Sequence, residues 1–103
     1  MLKIGIASDH RGYTLKEQLI DRLMEEYDIT DCGTTSTESV DYPDYAFKLG
    51  NLVADKDVDF GIAICGTGIG ISIACNKVKG IRCAKVDTLE EAIATRVDND
   101  SNI

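Results

Sequence analysis

Phe60-Gly61-Ile62-Ala63-Ile64-Cys65-Gly66-Thr67-Gly68-Ile69-Gly70 is an apolar run that gives way within one residue to a glycine-rich turn. A nearly continuous apolar stretch of strand length is what a strand buried on both faces of a parallel sheet requires; a half-solvated strand would alternate. Three glycines in the last five residues let backbone N–H groups converge on an anion, above all where a helix begins. The stretch therefore predicts a strand, an anion-receiving turn and a helix over about Ile71 to Val78.

Working outward, the same rhythm recurs. Leu2 to Ala7 reads as a first strand and Ile29 to Cys32 as a short second one, stopped by Gly33. Between them, Thr14-Leu15-Lys16-Glu17 has the pattern of a capping box, with Leu15, Leu19 and Leu23 at helical spacing. Pro43 suits the first turn of a helix that carries Ala46, Leu49 and Val53 on one face. Ile81 to Val86 predicts a fourth strand, and Asp87-Thr88-Leu89-Glu90 caps a last helix ending near Val97. Strands alternating with helices imply a three-layer α/β/α sandwich around a parallel, Rossmann-like sheet of four strands. The chain stops at Asn102-Ile103, where the rhythm calls for a fifth strand, so that strand is expected to be missing or rudimentary.

Length and composition fit one domain over residues 1–103. Hydrophobic residues make up 44% and charged residues 28%, a mix that buries a core. Lys and Arg total 11 against 18 Asp and Glu, for a formal charge of -7 with no basic run. No nucleic-acid or anionic-membrane partner is expected, and any anion site must be local. The N-terminal apolar run is too short for a signal peptide, and nothing approaches the ~20 apolar residues of a membrane-spanning helix. Cys32, Cys65, Cys75 and Cys83 form no Cys-x-x-Cys pair and have one His for company, so a zinc site is not expected. They read as free thiols of a cytoplasmic protein.

Ligands of open parallel sheets bind outside the carboxyl ends of the strands. Three loops meet that description: Ser8 to Gly12, Gly33 to Asp41 and Gly66 to Gly70. The last is neither the dinucleotide fingerprint, which would need Gly where Ile71 stands, nor a P-loop, which needs Gly-Lys-Ser/Thr. A bare tight turn would explain the glycines alone. Cys65 changes the balance, since a strand's carboxyl end before a helix N-terminus favours a thiolate. A thiolate beside backbone donors is suited to removing a proton α to a carbonyl, with the donors holding the enediolate oxygen. Cys75 and Cys83, placed inside a helix and a strand, read as core filler. His10 could be an idle surface histidine, yet the Ser8-Asp9-His10 loop faces the same crevice as Cys65.

Ser8-Asp9-His10-Arg11-Gly12-Tyr13, Ser39-Val40-Asp41-Tyr42-Pro43-Asp44-Tyr45, Cys65-Gly66-Thr67-Gly68-Ile69-Gly70-Ile71-Ser72-Ile73-Ala74 and Gly80-Ile81-Arg82 together resemble the type B ribose-5-phosphate isomerase family. The related galactose-6-phosphate isomerase subunits share part of the pattern. The resemblance runs along the whole chain. It implies interconversion of ribose 5-phosphate and ribulose 5-phosphate without metal or organic cofactor, in a homodimer or higher homo-oligomer. Cys65 takes the place of the family's proton-transferring base, because Ile71 stands where other branches carry a Glu. Thr67, with Gly66, Gly68, Ile69 and Gly70, corresponds to the anion hole. Asp9 and His10 line the sugar site, and Tyr42 lies at its edge.

Two departures accompany the resemblance. The family's His-Asn-Asp, whose His assists ring opening across a dimer interface, stands here as Asp98-Asn99-Asp100. Asn99 matches the substrate-contacting Asn, and Asp98 replaces the His. The family also continues for tens of residues, with a fifth strand and phosphate-gripping arginines, so the chain is C-terminally short beside it and weak activity is expected. Isomerisation of a hexose 6-phosphate, or a non-catalytic relative that binds a sugar phosphate or pairs with another subunit, are the alternative expectations.

Overall fold

The computed structural model describes residues 1–103. Three strands, β1 (Lys3–Ser8), β2 (Asp28–Asp31) and β3 (Phe60–Ile64), form a parallel sheet in the order β2-β1-β3. Lys3 pairs with Asp28 on one side of β1, and Ser8 pairs with Ile64 on the other. Helices α1 (Tyr13–Leu23) and α2 (Tyr42–Ala54) follow β1 and β2. Each rests on the sheet without touching the other, which puts them on opposite faces. Helix α3 (Ile69–Cys75) packs beside α2, and α4 (Leu89–Asn99) lies at the periphery.

The expected spacing of Ala46, Leu49 and Val53 is the buried face of α2. With Ala7, Val58, Ile71, Ala74 and Cys75 they make the main core. Pro43 sits in the first turn of α2, where its missing N–H costs nothing.

The sheet has three strands, not the four expected. Ile81 to Val86 is extended but belongs to no ladder. The slot beside β3 that it would need is filled by the last residues of the chain. Gly61 N–H donates to the Asn102 carbonyl at 2.9 Å, and Asn102 N–H donates to the Arg82 carbonyl at 2.9 Å. Ala84 N–H reaches the Ile103 carbonyl at 3.1 Å. A strand exists only where a neighbour takes its backbone groups; Arg82 and Ala84 find Asn102 and Ile103, and Cys83 is taken by the Asn76 side chain. The fifth strand is rudimentary in that sense.

Three boundaries also differ. Helix α1 starts at Tyr13, and Thr14 caps nothing; the Asp9 carboxylate accepts from Arg11 and Gly12 N–H at 2.9 and 3.1 Å instead. Helix α3 spans Ile69–Cys75, not 71–78. Gly68, at φ +80, turns the chain directly into it, and the Asn76 side chain leaves it to bind the Cys83 backbone. The α4 cap is displaced by one residue: Thr88 Oγ1 accepts from Glu91 N–H at 3.1 Å, and Glu91 Oε1 accepts from Asp87 N–H at 3.0 Å.

One buried charge ties α1 to the sheet. The Lys16 side chain is fully enclosed, and its ammonium donates to Asp31 Oδ1 at 2.9 Å and to Glu17 Oε1 at 2.8 Å. Asp31 Oδ1 also accepts from Gly33 N–H at 2.9 Å, so the pair steadies the chain leaving β2. Burial pulls the Lys16 pKa down, but the bonds to Glu17 and Asp31 outweigh it and the net shift is upward from 10.5. A raised folded-state pKa means stability fully present below about pH 10.5 and lost as pH climbs through the folded value. Because both carboxylates are half-exposed, Lys16→Met should cost about 1–2 kcal/mol at pH 8. Urea unfolding should show the difference shrinking at strongly alkaline pH, and equal stability at pH 8 would refute the tie.

Candidate active site

The register of β1 on β3 builds the site. Ser8 lies opposite Ile64, and the Asp9 N–H donates to the Ile64 carbonyl at 3.1 Å. The two chains therefore leave the sheet side by side, one as Asp9-His10-Arg11 and the other as Cys65-Gly66-Thr67. The segment Ser39 to Asp44, leading into α2, supplies a third wall. The cleft between them holds about 650 Å³, and few of its lining residues are hydrophobic.

Within it, Gly68 N–H points at Cys65 Sγ at 3.2 Å. Thr67 Oγ1 accepts from Ile69 N–H at 3.1 Å, which folds the hydroxyl over the start of α3. His10 Nδ1 accepts from Val40 N–H at 3.2 Å. A neutral imidazole held this way carries its proton on Nε2, the nitrogen left for a ligand. Asp9 is buried, and its Oδ1 is spent on the turn of its own loop. A Cβ on Gly66 would lie 2.6 Å from Arg11 Cδ, and one on Gly70 would lie 2.8 Å from Tyr42 Cζ. The glycines thus let an arginine and a tyrosine close directly over the turn. A second, more apolar groove of about 340 Å³ runs along the outer edge of β3. It holds no histidine or cleft carboxylate, so acid–base chemistry belongs to the polar cleft.

The sequence profile described as Ribose/Galactose Isomerase matches residues 4–103. The chain belongs to that family. It is 44% identical to ribose-5-phosphate isomerase B of Escherichia coli, over 100% of this chain and 70% of the relative. Ribose-5-phosphate isomerase B of Clostridium thermocellum superposes with a TM-score of 0.97 at 50% identity, covering 99% of this chain and 70% of that one. The Mycoplasma genitalium enzyme, solved with bound ribulose-5-phosphate, gives 0.90 at 39% identity, over 98% of this chain and 68% of its own.

Of the residues expected at an isomerase site, Asp9, His10, Tyr42, Cys65, Gly66, Thr67 and Gly70 line the cleft together. Gly68 and Ile69 stand behind them and contribute amides to Cys65 and Thr67. Asp98 and Asn99 do not join: they lie exposed at the end of α4, where the Asn99 carbonyl accepts from Arg82 Nε at 2.6 Å. Arg11, Ser39, Val40 and Asp41 also line the cleft and fall in the two loops expected to face a ligand, whereas Pro43 and Asp44 were expected only as the start of a helix. All six fall inside the quoted family segments, which was the available signal. No helix of the chain is long and apolar enough to cross a membrane.

Inorganic phosphate should occupy the loop amides and shield the thiol beside them. Iodoacetamide labelling of Cys65 should slow several-fold in its presence, while the half-buried Cys83 should label at an unchanged rate. Peptide mass mapping reads both, and equal protection of the two thiols would count against an anion site at this loop.

Proposed function

We propose that this chain is a cytoplasmic aldose–ketose isomerase that interconverts ribose 5-phosphate and ribulose 5-phosphate through an enediolate. The observation that carries this reading is the placement of Cys65 in a polar cleft with an amide N–H aimed at its sulfur. In the forward direction Cys65 Sγ takes the C2 proton of the open-chain aldose. The electrons move into a C1–C2 enediolate, the O2 hydroxyl proton passes to O1, and the carbon-derived proton returns at C1 to leave the ketose. Thr67 and the amides of Gly68, Ile69 and Gly70 surround the developing oxyanion, where fixed donors are worth most. His10 Nε2–H and Asp9 serve the sugar hydroxyls, and Tyr42 closes the rim.

Charge sets the expected strength of binding. Arg11 is the cation among the lining residues, against the carboxylates Asp9, Asp41 and Asp44. A charge-assisted hydrogen bond is worth about 1.5–3 kcal/mol, roughly 10- to 150-fold in affinity. With the loop amides turned to the oxyanion and one guanidinium, Arg11, left for a phosphate dianion, a single chain's cleft binds weakly, and slow turnover follows.

The same reading makes the working form a homo-oligomer. Leu89, Ile93 and Val97 recur every fourth residue on α4 and are 73%, 54% and 77% exposed. Asp98 and Asn99 end that helix, so pairing through this stripe would carry them toward a neighbouring copy. Light scattering should report a dimer or larger, and Ile93→Lys should shift it toward monomer. A monomeric parent chain would remove this part of the proposal.

Cys65→Ala should lower the rate of C2-proton exchange and of isomerisation by about 10²–10⁴-fold, the usual worth of a positioned base. Binding of ribose 5-phosphate, followed by calorimetry, should change little. Retained turnover in the alanine variant would exclude Cys65 as the base.

A further inference from the structure

Two thiols lie outside the cleft and take no part in its chemistry. Cys75 is the last residue of α3 and is fully buried, while Cys83 sits half-buried in the extended segment that found no place in the sheet. They are brought together by Asn76, whose amide clasps the Cys83 backbone at both ends. Its Nδ2 donates to the Cys83 carbonyl at 2.8 Å, and its Oδ1 accepts from the Cys83 N–H at 2.8 Å. This two-point clasp fixes residue 83 against the carboxyl end of α3, and both side chains pack into the same core. There the Cys75 sulfur has the Cys83 sulfur for a neighbour, and its S–H faces the Ala46 carbonyl at 3.8 Å.

The two sulfurs are unequal. The neighbouring Cys83 sulfur, then burial, pushes the Cys75 thiol up, whereas the nearby Cys75 thiol draws Cys83 down against its own burial. Cys83, half-buried where Cys75 is fully enclosed, is the more accessible sulfur, and Cys75 waits behind it. That is the division of labour between an attacking and a resolving cysteine. Cys32 has no such neighbour: it is fully buried, and its thiol lies 3.8 Å from the Thr30 carbonyl.

We infer that Cys75 and Cys83 form a thiol–disulfide exchange site, which low-molecular-weight disulfides convert into an intramolecular Cys75–Cys83 link. In the first step the Cys83 thiolate attacks one sulfur of the small disulfide. A Cys83 mixed disulfide forms, and one small thiolate leaves and takes up a proton. In the second, Cys75 loses its proton and attacks the Cys83 sulfur, expelling the second small thiolate. The protein gives up two electrons and two protons, and one small disulfide becomes two thiols. The product straps Arg82 to Lys85 onto α3. Lys85 runs its side chain along Gly68, 3.4 Å from where a Cβ would stand, so the strap ends beside the anion loop.

The folded chain treated with oxidised glutathione, quenched with N-ethylmaleimide and mapped by mass spectrometry provides the test. The expected product is a linked pair of peptides holding Cys75 and Cys83, lighter by two hydrogens, with Cys32 still reduced. Cys75→Ser, which keeps a donor facing the Ala46 carbonyl, should stop at a glutathione adduct on Cys83. Cys83→Ser, a change at a half-buried site, should leave Cys75 a free thiol, with circular dichroism confirming that both variants fold. A stable adduct on Cys83 of the parent chain without a link, or a link that joins Cys83 to Cys65 or Cys32, would overturn the assignment.

Discussion

The parallel pairing of β1 with β3 is the constraint on which the rest depends. Five matched residues, from Ile4 with Phe60 to Ser8 with Ile64, bring both strands to the same edge at the same height. One further bond, Asp9 N–H to the Ile64 carbonyl, carries the alignment past the end of the ladder. An apolar strand with this register cannot slip without turning its buried side chains to the wrong face. The distance between the histidine loop and the cysteine loop is therefore set by backbone hydrogen bonds in the rigid part of the molecule. The surrounding loops need supply only the third wall.

Much of this was legible because it rests on local chemistry. The unbroken run Phe60 to Ile64, the helical spacing of Ala46, Leu49 and Val53, and Pro43 at a helix start each carry their own physical reason. The crowding of Asp9, His10 and Cys65 to Gly70 at strand ends was readable for the same cause. The fourth strand failed because a strand is defined by its neighbour, and Ile81 to Val86 has Asn102, Ile103 and the Asn76 side chain beside it. Lys16 shows the opposite limit. A lysine on a helix reads as surface, and only the approach of Asp31 from the next strand explains its burial.

Arg11 and the Cys75–Cys83 pair illustrate a third kind of information. Neither follows from spacing, since each depends on two segments folding back on one another. Gly66 leaves room for the Arg11 side chain, and Asn76 draws Cys83 against α3. Small or amide-bearing residues at turns decide such approaches, and their sequence signal is the absence of a Cβ or one more asparagine. The site residues carried by glycine and histidine were visible for this reason, and those carried by approach were not.

Helix α4 makes no backbone approach to any other element and is moored by a few side chains. The Arg96 guanidinium stacks over the Phe60 ring at 4.7 Å and also donates to the Ser101 carbonyl at 2.5 Å, and Thr95 bonds the Ser101 hydroxyl. The residues just beyond that mooring are the ones that cover the outer backbone of β3. Detachment of α4 would therefore uncover a sheet edge, and naked edges recruit strands from other molecules. Local opening at a remote helix would in that event expose the protein to aggregation, and Arg96 is one of the contacts that oppose it.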